Sequence, residues 1–249
     1  PFTGDKIQVV ESSASGFILD AEPVPGNEAD GDRLAHLLQS VVTHHHIVPE
    51  YVGADTLYGF GRYRAEVDAL NLGIQVVAPV FKPANQKGML SHDQFTYDVQ
   101  KQEVTCPAQQ TTTKFYVRKN WEGLQYNFKG SICAKCPLKE TCTPSKMGRS
   151  IFISDYYEVY EEAQRFNESQ QGQEILRKRG QIEPTNNELA NHHALRHPQT
   201  RGRDNLRITV KLKAMSVNIK LIVKKLGKVA YKDPFVRQKP RLRGAAACA

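Results

Sequence analysis

Residues 51–80 read YVGADTLYGFGRYRAEVDALNLGIQVVAPV. Tyr51-Val52-Gly53-Ala54-Asp55 is a short apolar run that ends in an acid. Gly59 to Asn71 carries Tyr63, Val67 and Leu70 on one helical face, and Gly73 follows as a stop. Ile74-Gln75-Val76-Val77-Ala78-Pro79-Val80 is apolar enough for a buried strand. A strand, a helix and a second strand in that order predict a crossover with parallel pairing. Before it, Ala29 to Thr43 has Leu34, Leu37, Leu38, Val41 and Val42 at helical spacing, with Asn27 and Asp30 as candidate caps. Earlier still, Ile7–Val10 and Phe17–Glu22 flank a turn at Ser13–Gly16 and form a hairpin that Pro23–Gly26 should break. The order β-β-α-β-α-β predicts an α/β fold whose four strands share one sheet.

Beyond residue 80 the composition changes. Residues 81–150 hold Cys106, Cys133, Cys136 and Cys142, spaced C-x26-C-x2-C-x5-C. Four thiolates, two of them in a Cys-x2-Cys knuckle, suit tetrahedral Zn²⁺, with two disulfides or free buried thiols as the alternatives. Phe115 and Val117, then Leu124, Tyr126 and Phe128, alternate about Glu122-Gly123 as a hairpin would, which predicts a zinc-ribbon-like insertion. Helical character returns at Ser154 and continues to Leu226. Ile208, Leu212, Met215, Ile219, Ile222 and Leu226 recur every three or four residues, with Lys213, Lys220, Lys224 and Lys228 off that stripe. This predicts an amphipathic helix whose outer face is basic.

The chain has 249 residues, 40% of them hydrophobic and 24% charged, which fits a folded protein with its own core. No apolar run has the length of a membrane span, and the first residues lack signal-peptide character. From Arg201 onward there are 14 Lys/Arg against 2 Asp/Glu, whereas the preceding residues are mildly acidic. Such asymmetry points to a polyanion, nucleic acid first, with a solvated basic tail as the alternative. With Pro1 first, the sequence reads as a piece of something longer or as a processed or truncated product.

Asp55 ends a strand at the side where α/β sheets bind ligands; an acid there either holds a metal for phosphoryl chemistry or caps the next helix. Glu183 sits beside Arg177-Lys178-Arg179 and before Pro184, so it falls near a helix end as a metal ligand or an ion-pair partner. His44-His45-His46 reads as the polar end of a helix and its loop, with metal binding as the alternative, and His192-His193 as a helix end or a phosphate contact. Trp121 at the hairpin tip stacks on a base or packs on the ribbon. Tyr156, Tyr157 and Tyr160 read as core or interface aromatics on a helix.

Gly53-Ala54-Asp55-Thr56-Leu57-Tyr58-Gly59 resembles the segment around the second aspartate of bacterial insertion-sequence transposases of the DDE class. Gln181-Ile182-Glu183-Pro184-Thr185-Asn186-Asn187-Glu188-Leu189 resembles their glutamate segment, and Gly4–Val10, the cysteine insertion and Asn218-Ile219-Lys220 also fit. Of that family's Tyr-x2-Arg-x3-Glu-x6-Lys signature, Arg179 and Glu183 match, while Leu176 and Ala190 stand at the other two positions. Leu57 stands where a small residue is usual and Asp5 where a tyrosine is, and the family's first aspartate falls upstream of Gly4.

The resemblance implies an RNase H-like mixed sheet flanked by helices, formed by residues 1–80 and 151–228, interrupted by the zinc-ribbon-like insertion 81–150 and followed by a basic tail, 229–249. It implies metal-dependent cleavage and strand transfer at transposon ends, with Asp55 and Glu183 holding Mg²⁺ or Mn²⁺ and Arg179 positioning Glu183 or a phosphate. Arg201, Arg203, Lys213, Lys220 and Lys224 would contact DNA, and Cys106, Cys133, Cys136 and Cys142 would hold structural Zn²⁺. The implied setting is bacterial, cytoplasmic and nucleoid-associated, with DNA as partner, a homodimer in the DNA complex and no membrane. Two alternatives are a non-catalytic DNA-binding remnant and a zinc-ribbon interaction protein.

Overall fold

The computed structural model describes residues 4–81 and 88–228. Along them run β1 (Asp5–Glu11), β2 (Ile18–Pro25), α1 (Leu34–His45), β3 (Tyr51–Gly53), α2 (Gly61–Asp68), β4 (Gln75–Val77), β5 (Thr96–Asp98), β6 (Glu103–Thr105), β7 (Thr111–Thr112), β8 (Phe115–Arg118), β9 (Gly123–Asn127), α3 (Gly130–Cys133), α4 (Lys139–Cys142), β10 (Ser150–Ser154), α5 (Tyr157–Glu168), α6 (Gln170–Lys178), α7 (Glu183–Asn187) and α8 (Arg203–Lys228). The basic tail 229–249, Cys248 included, lies outside the described residues. No helix among the described residues is long and apolar enough to cross a membrane. The described residues divide into two compact units, one within 27–180 and one formed by 4–26 with 181–228.

In the unit 27–180, β3 and β4 pair in parallel, Tyr51 opposite Gln75 and Gly53 opposite Val77, and α2 makes the crossover. Leu34 and Leu38 of α1 meet Tyr63 and Val67 of α2 over Ile74, Val76 and Ala78. Leu38 is fully buried, a burial worth about 1.5–3 kcal/mol. The helix start differs from the expected caps: a 3₁₀ turn at Asp30–Arg33 precedes α1, and Asp32 Oδ2 accepts from the Ala29 amide at 3.1 Å.

The expected hairpin is present as β8 and β9, Phe115 opposite Tyr126 and Val117 opposite Leu124, with the αL residue Glu122 (φ 52°) closing its turn. Its alternation is one-sided, however. Tyr126 is buried, whereas Phe115 and Val117 are exposed, because β8 is an edge strand and β10 covers the other edge of β9. A second three-stranded sheet, β5-β6-β7, adds Val104 to a core of Tyr126, Phe128, Ile151 and Ile153.

In the other unit, β1 and β2 form an antiparallel hairpin with Ile7 opposite Pro23 and Val9 opposite Ala21. The expected break at Pro23 does not occur: the strand continues to Pro25. Pro23 and Pro25 share one parity, so their missing N–H groups can both lie on the side turned from β1. α8 packs on this hairpin through Leu206, Val210, Ala214 and Val217, against Ile18, Ala21, Leu189 and Leu195. Asn218 completes the strand's polar groups: its Nδ2 donates to Ile18 O at 2.8 Å and its Oδ1 accepts from Ile18 N at 2.9 Å.

Two expectations are corrected here. The four N-terminal strands do not share one sheet; β1-β2 and β3-β4 are separate two-stranded sheets, since residue pattern marks a segment as extended without naming the edge it pairs with. The 208–226 stripe of α8 is not its core face: Ile208, Leu212, Met215, Ile219, Ile222 and Leu226 are all 42–64% exposed. The helix has two apolar faces, and the docked one carries the smaller residues.

Candidate functional site

Asp55 is positioned by backbone. The Ala54 amide donates to Val77 O at 3.0 Å, which prolongs the parallel pairing one residue past β3. Asp55 then leaves the sheet at its carboxyl end and caps the 3₁₀ turn Thr56–Gly59, its Oδ1 accepting from the Thr56 amide at 2.7 Å. Gly59 and Gly61 let this turn lie close to its support. A Cβ on Gly59 would stand 2.8 Å from Pro79 O, and one on Gly61 would collide with Tyr156. The Gly61 amide donates to Tyr160 Oη at 2.8 Å, so two of the three tyrosines fix this loop, while Tyr157 packs on the core of Val104, Tyr126 and Ile151.

Beneath the turn lies Arg64, only 5% exposed. It donates to Gly59 O and Ala78 O, each at 2.9 Å, and to Val76 O. Burial lowers its pKa, but a guanidinium stays charged. Ala78 O also accepts from Asn167 Nδ2 at 2.9 Å. A buried cation thus gathers carbonyls from the end of β4 and from the loop after Asp55. Nothing in the sequence signalled it except an arginine on the helix's apolar face.

The Asp55 carboxylate itself is 68% exposed, with Arg179 Nη1 3.6 Å from Oδ1. Arg179 therefore meets Asp55, a partner that the sequence reading did not assign. An exposed pair at this distance contributes about 0–1 kcal/mol. Both the capping and the ligand reading of Asp55 remain chemically open: one oxygen caps, and the group faces solvent.

Glu183 belongs to the other unit. It opens α7, with Pro184 next, as the sequence implied, and it is exposed. The chain continues as a π turn over Glu188–His192, anchored by Leu189, which is 3% exposed. Glu188, which sequence reading passed over, pairs with Lys220 Nζ at 2.8 Å and has His193 Nε2 at 3.6 Å. The hydrogen bond from Lys220 leads the causes that hold its pKa below the ordinary glutamate value. His44 and His46 terminate α1, His46 in the αL conformation (φ 55°), as the helix-end reading expected.

The four cysteines are free and line one cavity of about 30 Å³ together with Phe95, Phe128 and Arg149. Cys106 turns the chain after β6, its amide bonded to Gln110 O at 2.8 Å; Cys133 and Cys142 end α3 and α4. Burial, and then the other three thiols against the opposing charge of Arg149, raise the Cys142 pKa. As they stand, no group of three or more His, Cys, Asp or Glu among the described residues has metal-holding geometry. A set of four soft donors on one cavity is nonetheless chemically suited to zinc.

The basic candidates divide by engagement. Arg203 pairs with Asp5 at 3.1 Å and Lys220 with Glu188. Among the described residues, Arg201, Lys213 and Lys224 make no ion pair. Lys211, outside the expected set, pairs with Asp20 and Glu22 at 2.8 and 2.7 Å. Trp121 is 67% exposed and meets Phe152 edge-on at 6.0 Å.

Residues 105–223 match the family described as transposase DDE domain. That stretch includes the four cysteines, Arg179, Glu183 and most of α8, and over it the chain is similar to DDE-class transposases. Neither a curated protein nor a solved structure matches the chain.

Proposed function

We propose that this chain acts in DNA transposition of the DDE type, cutting and joining DNA at transposon ends with a divalent metal. The observation that carries the reading is the family match over 105–223, which contains Glu183. Asp55 lies outside that match and is supported separately, by its place at the carboxyl end of a parallel strand pair. DDE domains generally use Mg²⁺ or Mn²⁺. Oxygen donors such as Asp55 and Glu183 suit these hard cations. When bound, such an ion activates the attacking oxygen and stabilises the leaving one at a phosphodiester. The residues' own part is to present carboxylates to solvent in a fixed direction, with Arg179 neutralising Asp55 before the cation arrives.

DNA is the proposed partner, as a DDE domain implies. Arg201, Lys213 and Lys224 are the cations without an ion pair to give up among the described residues; Arg203 and Lys220 would have to exchange partners. A homodimer in the DNA complex and a nucleoid-associated location belong to the same reading. Structural Zn²⁺ on Cys106, Cys133, Cys136 and Cys142 is proposed from their common cavity. Metal analysis checks it: about one Zn per chain, lost in Cys133→Ser, with chelation loosening the ribbon.

The deciding experiment incubates the chain with DNA bearing the element's ends and Mn²⁺. Cutting that disappears in Asp55→Asn and Glu183→Gln, with DNA binding retained, supports the assignment. Cutting that survives either change removes that residue from the site. Binding that falls steeply with salt, without any cutting, favours a DNA-binding protein that is not itself catalytic.

A further inference from the structure

The exposed stripe of α8 is a heptad seam. Ile208, Leu212, Met215, Ile219, Ile222 and Leu226 follow one another at spacings of 4, 3, 4, 3 and 4, an uninterrupted d-a-d-a-d-a series. All six are at least 42% exposed, and Val223 beside them is 64% exposed. On a helix of about 100° per residue, this seam lies about 160° from the face of Leu206, Val210, Ala214 and Val217 that docks on the hairpin. Contiguous apolar surface of this kind marks an interaction site in a protein that stays soluble.

We infer that this seam pairs with the same seam of a second copy of the chain, as a parallel two-helix coiled coil. A 3.5-residue repeat is complementary to itself, which a groove for an unrelated partner need not be. The flanks select the direction. In a parallel pair, Lys211 faces the second copy's Ser216 and Asn218 faces its Val223, so no like charges meet; an antiparallel pair would bring Lys211 toward the second Lys225. The flanks also limit the number of helices. Lys211, Asn218 and Lys225 are already tied to Asp20 and Glu22, to Ile18 and to Ser15 O, which leaves only the narrow seam open. Lys213 and Lys224 fall on the opposite flank, so pairing leaves them open to a polyanion, while Lys220 on that flank stays with Glu188.

The inference deepens the proposed homodimer and is tested without DNA or metal, apart from catalysis. Light scattering on the whole chain should give the mass of two chains. Met215→Glu with Ile219→Lys should halve that mass, while far-UV circular dichroism below the melting transition stays as it was, because both side chains are exposed in the single chain; the melting temperature should fall only by the lost association. Leu226→Cys in a Cys248→Ser background should cross-link to a second copy on mild oxidation, since only a parallel pair brings 226 beside 226. A single-chain mass for the unchanged protein, or a two-chain mass that survives the double substitution, overturns the inference. Cross-linking at 226 absent while the two-chain mass persists overturns the parallel pairing.

Discussion

Asp55 and Glu183 are both exposed acids beside short turns, yet they are held by different physics. Under Asp55 lie a parallel strand pair, two glycines with no room for a side chain and a buried arginine on three carbonyls. Glu183 opens a five-residue helix followed by a π turn, anchored by one buried leucine and by an ion pair between Glu188 and Lys220. One acid stands on backbone that cannot move without opening a core. The other stands on backbone whose position depends on side chains that α8 supplies.

The sharpest way to break this contrast is Arg64→Met. It takes the arginine donor from the Gly59 and Val76 carbonyls and one of two side-chain donors from Ala78 O, and we expect a loss of about 3–5 kcal/mol in urea unfolding, as orphaned buried acceptors cost. A loss under about 1 kcal/mol would mean that the shelf under Asp55 does not rest on this arginine. Next, Leu189→Ala should cost about 2–4 kcal/mol by cavity formation. It should also raise amide exchange across 183–195 more than across 51–61; equal changes in both would erase the distinction between the two acids.

Asn218→Ala removes both hydrogen bonds to Ile18, for an expected loss of about 1–2 kcal/mol. Asn218→Asp keeps the acceptor and loses the donor, so it should fall between the two; an Asp variant as stable as the parent would show that only the Ile18 amide matters. The smallest effect is on pH. The Glu188 pKa is lowered in the folded chain, first by its hydrogen bond from Lys220. Its contribution is therefore present above the unfolded glutamate value of 4.5 and lost as pH falls through the lower folded value. Lys220→Met should flatten that part of the stability–pH profile, and an unchanged profile would remove the ion pair from the support of Glu183.

Several of these parts were readable before any coordinates. The run ending in Asp55, the helix through Tyr63 and Val67 and the strand at 75–77 appear where their patterns put them, since each signal is local. So do the β8–β9 hairpin and the restart of the chain at Glu183-Pro184. The β2 strand ran past its prolines because an edge position needs no amide there, which depends on the neighbour and not on the residue.

By itself, the sequence determined the strands and helices of residues 5–77, the β8–β9 hairpin, where the acids sit and that the C-terminus is basic, because periodicity and turn chemistry act over a few residues; the short strands β5, β6, β7 and β10 carried no such signal. Tertiary structure alone decided which strands pair, which apolar face of α8 is buried and which cations are spent. It also decided that Arg64 supports the Asp55 loop and that Arg179 turns to Asp55. These outcomes depend on groups far apart in the chain: Asn218 meeting Ile18, Lys220 meeting Glu188 and α8 meeting the N-terminal hairpin. A helix with apolar residues on two sides satisfies the pattern either way, and only the partner that arrives first in space settles which side is core.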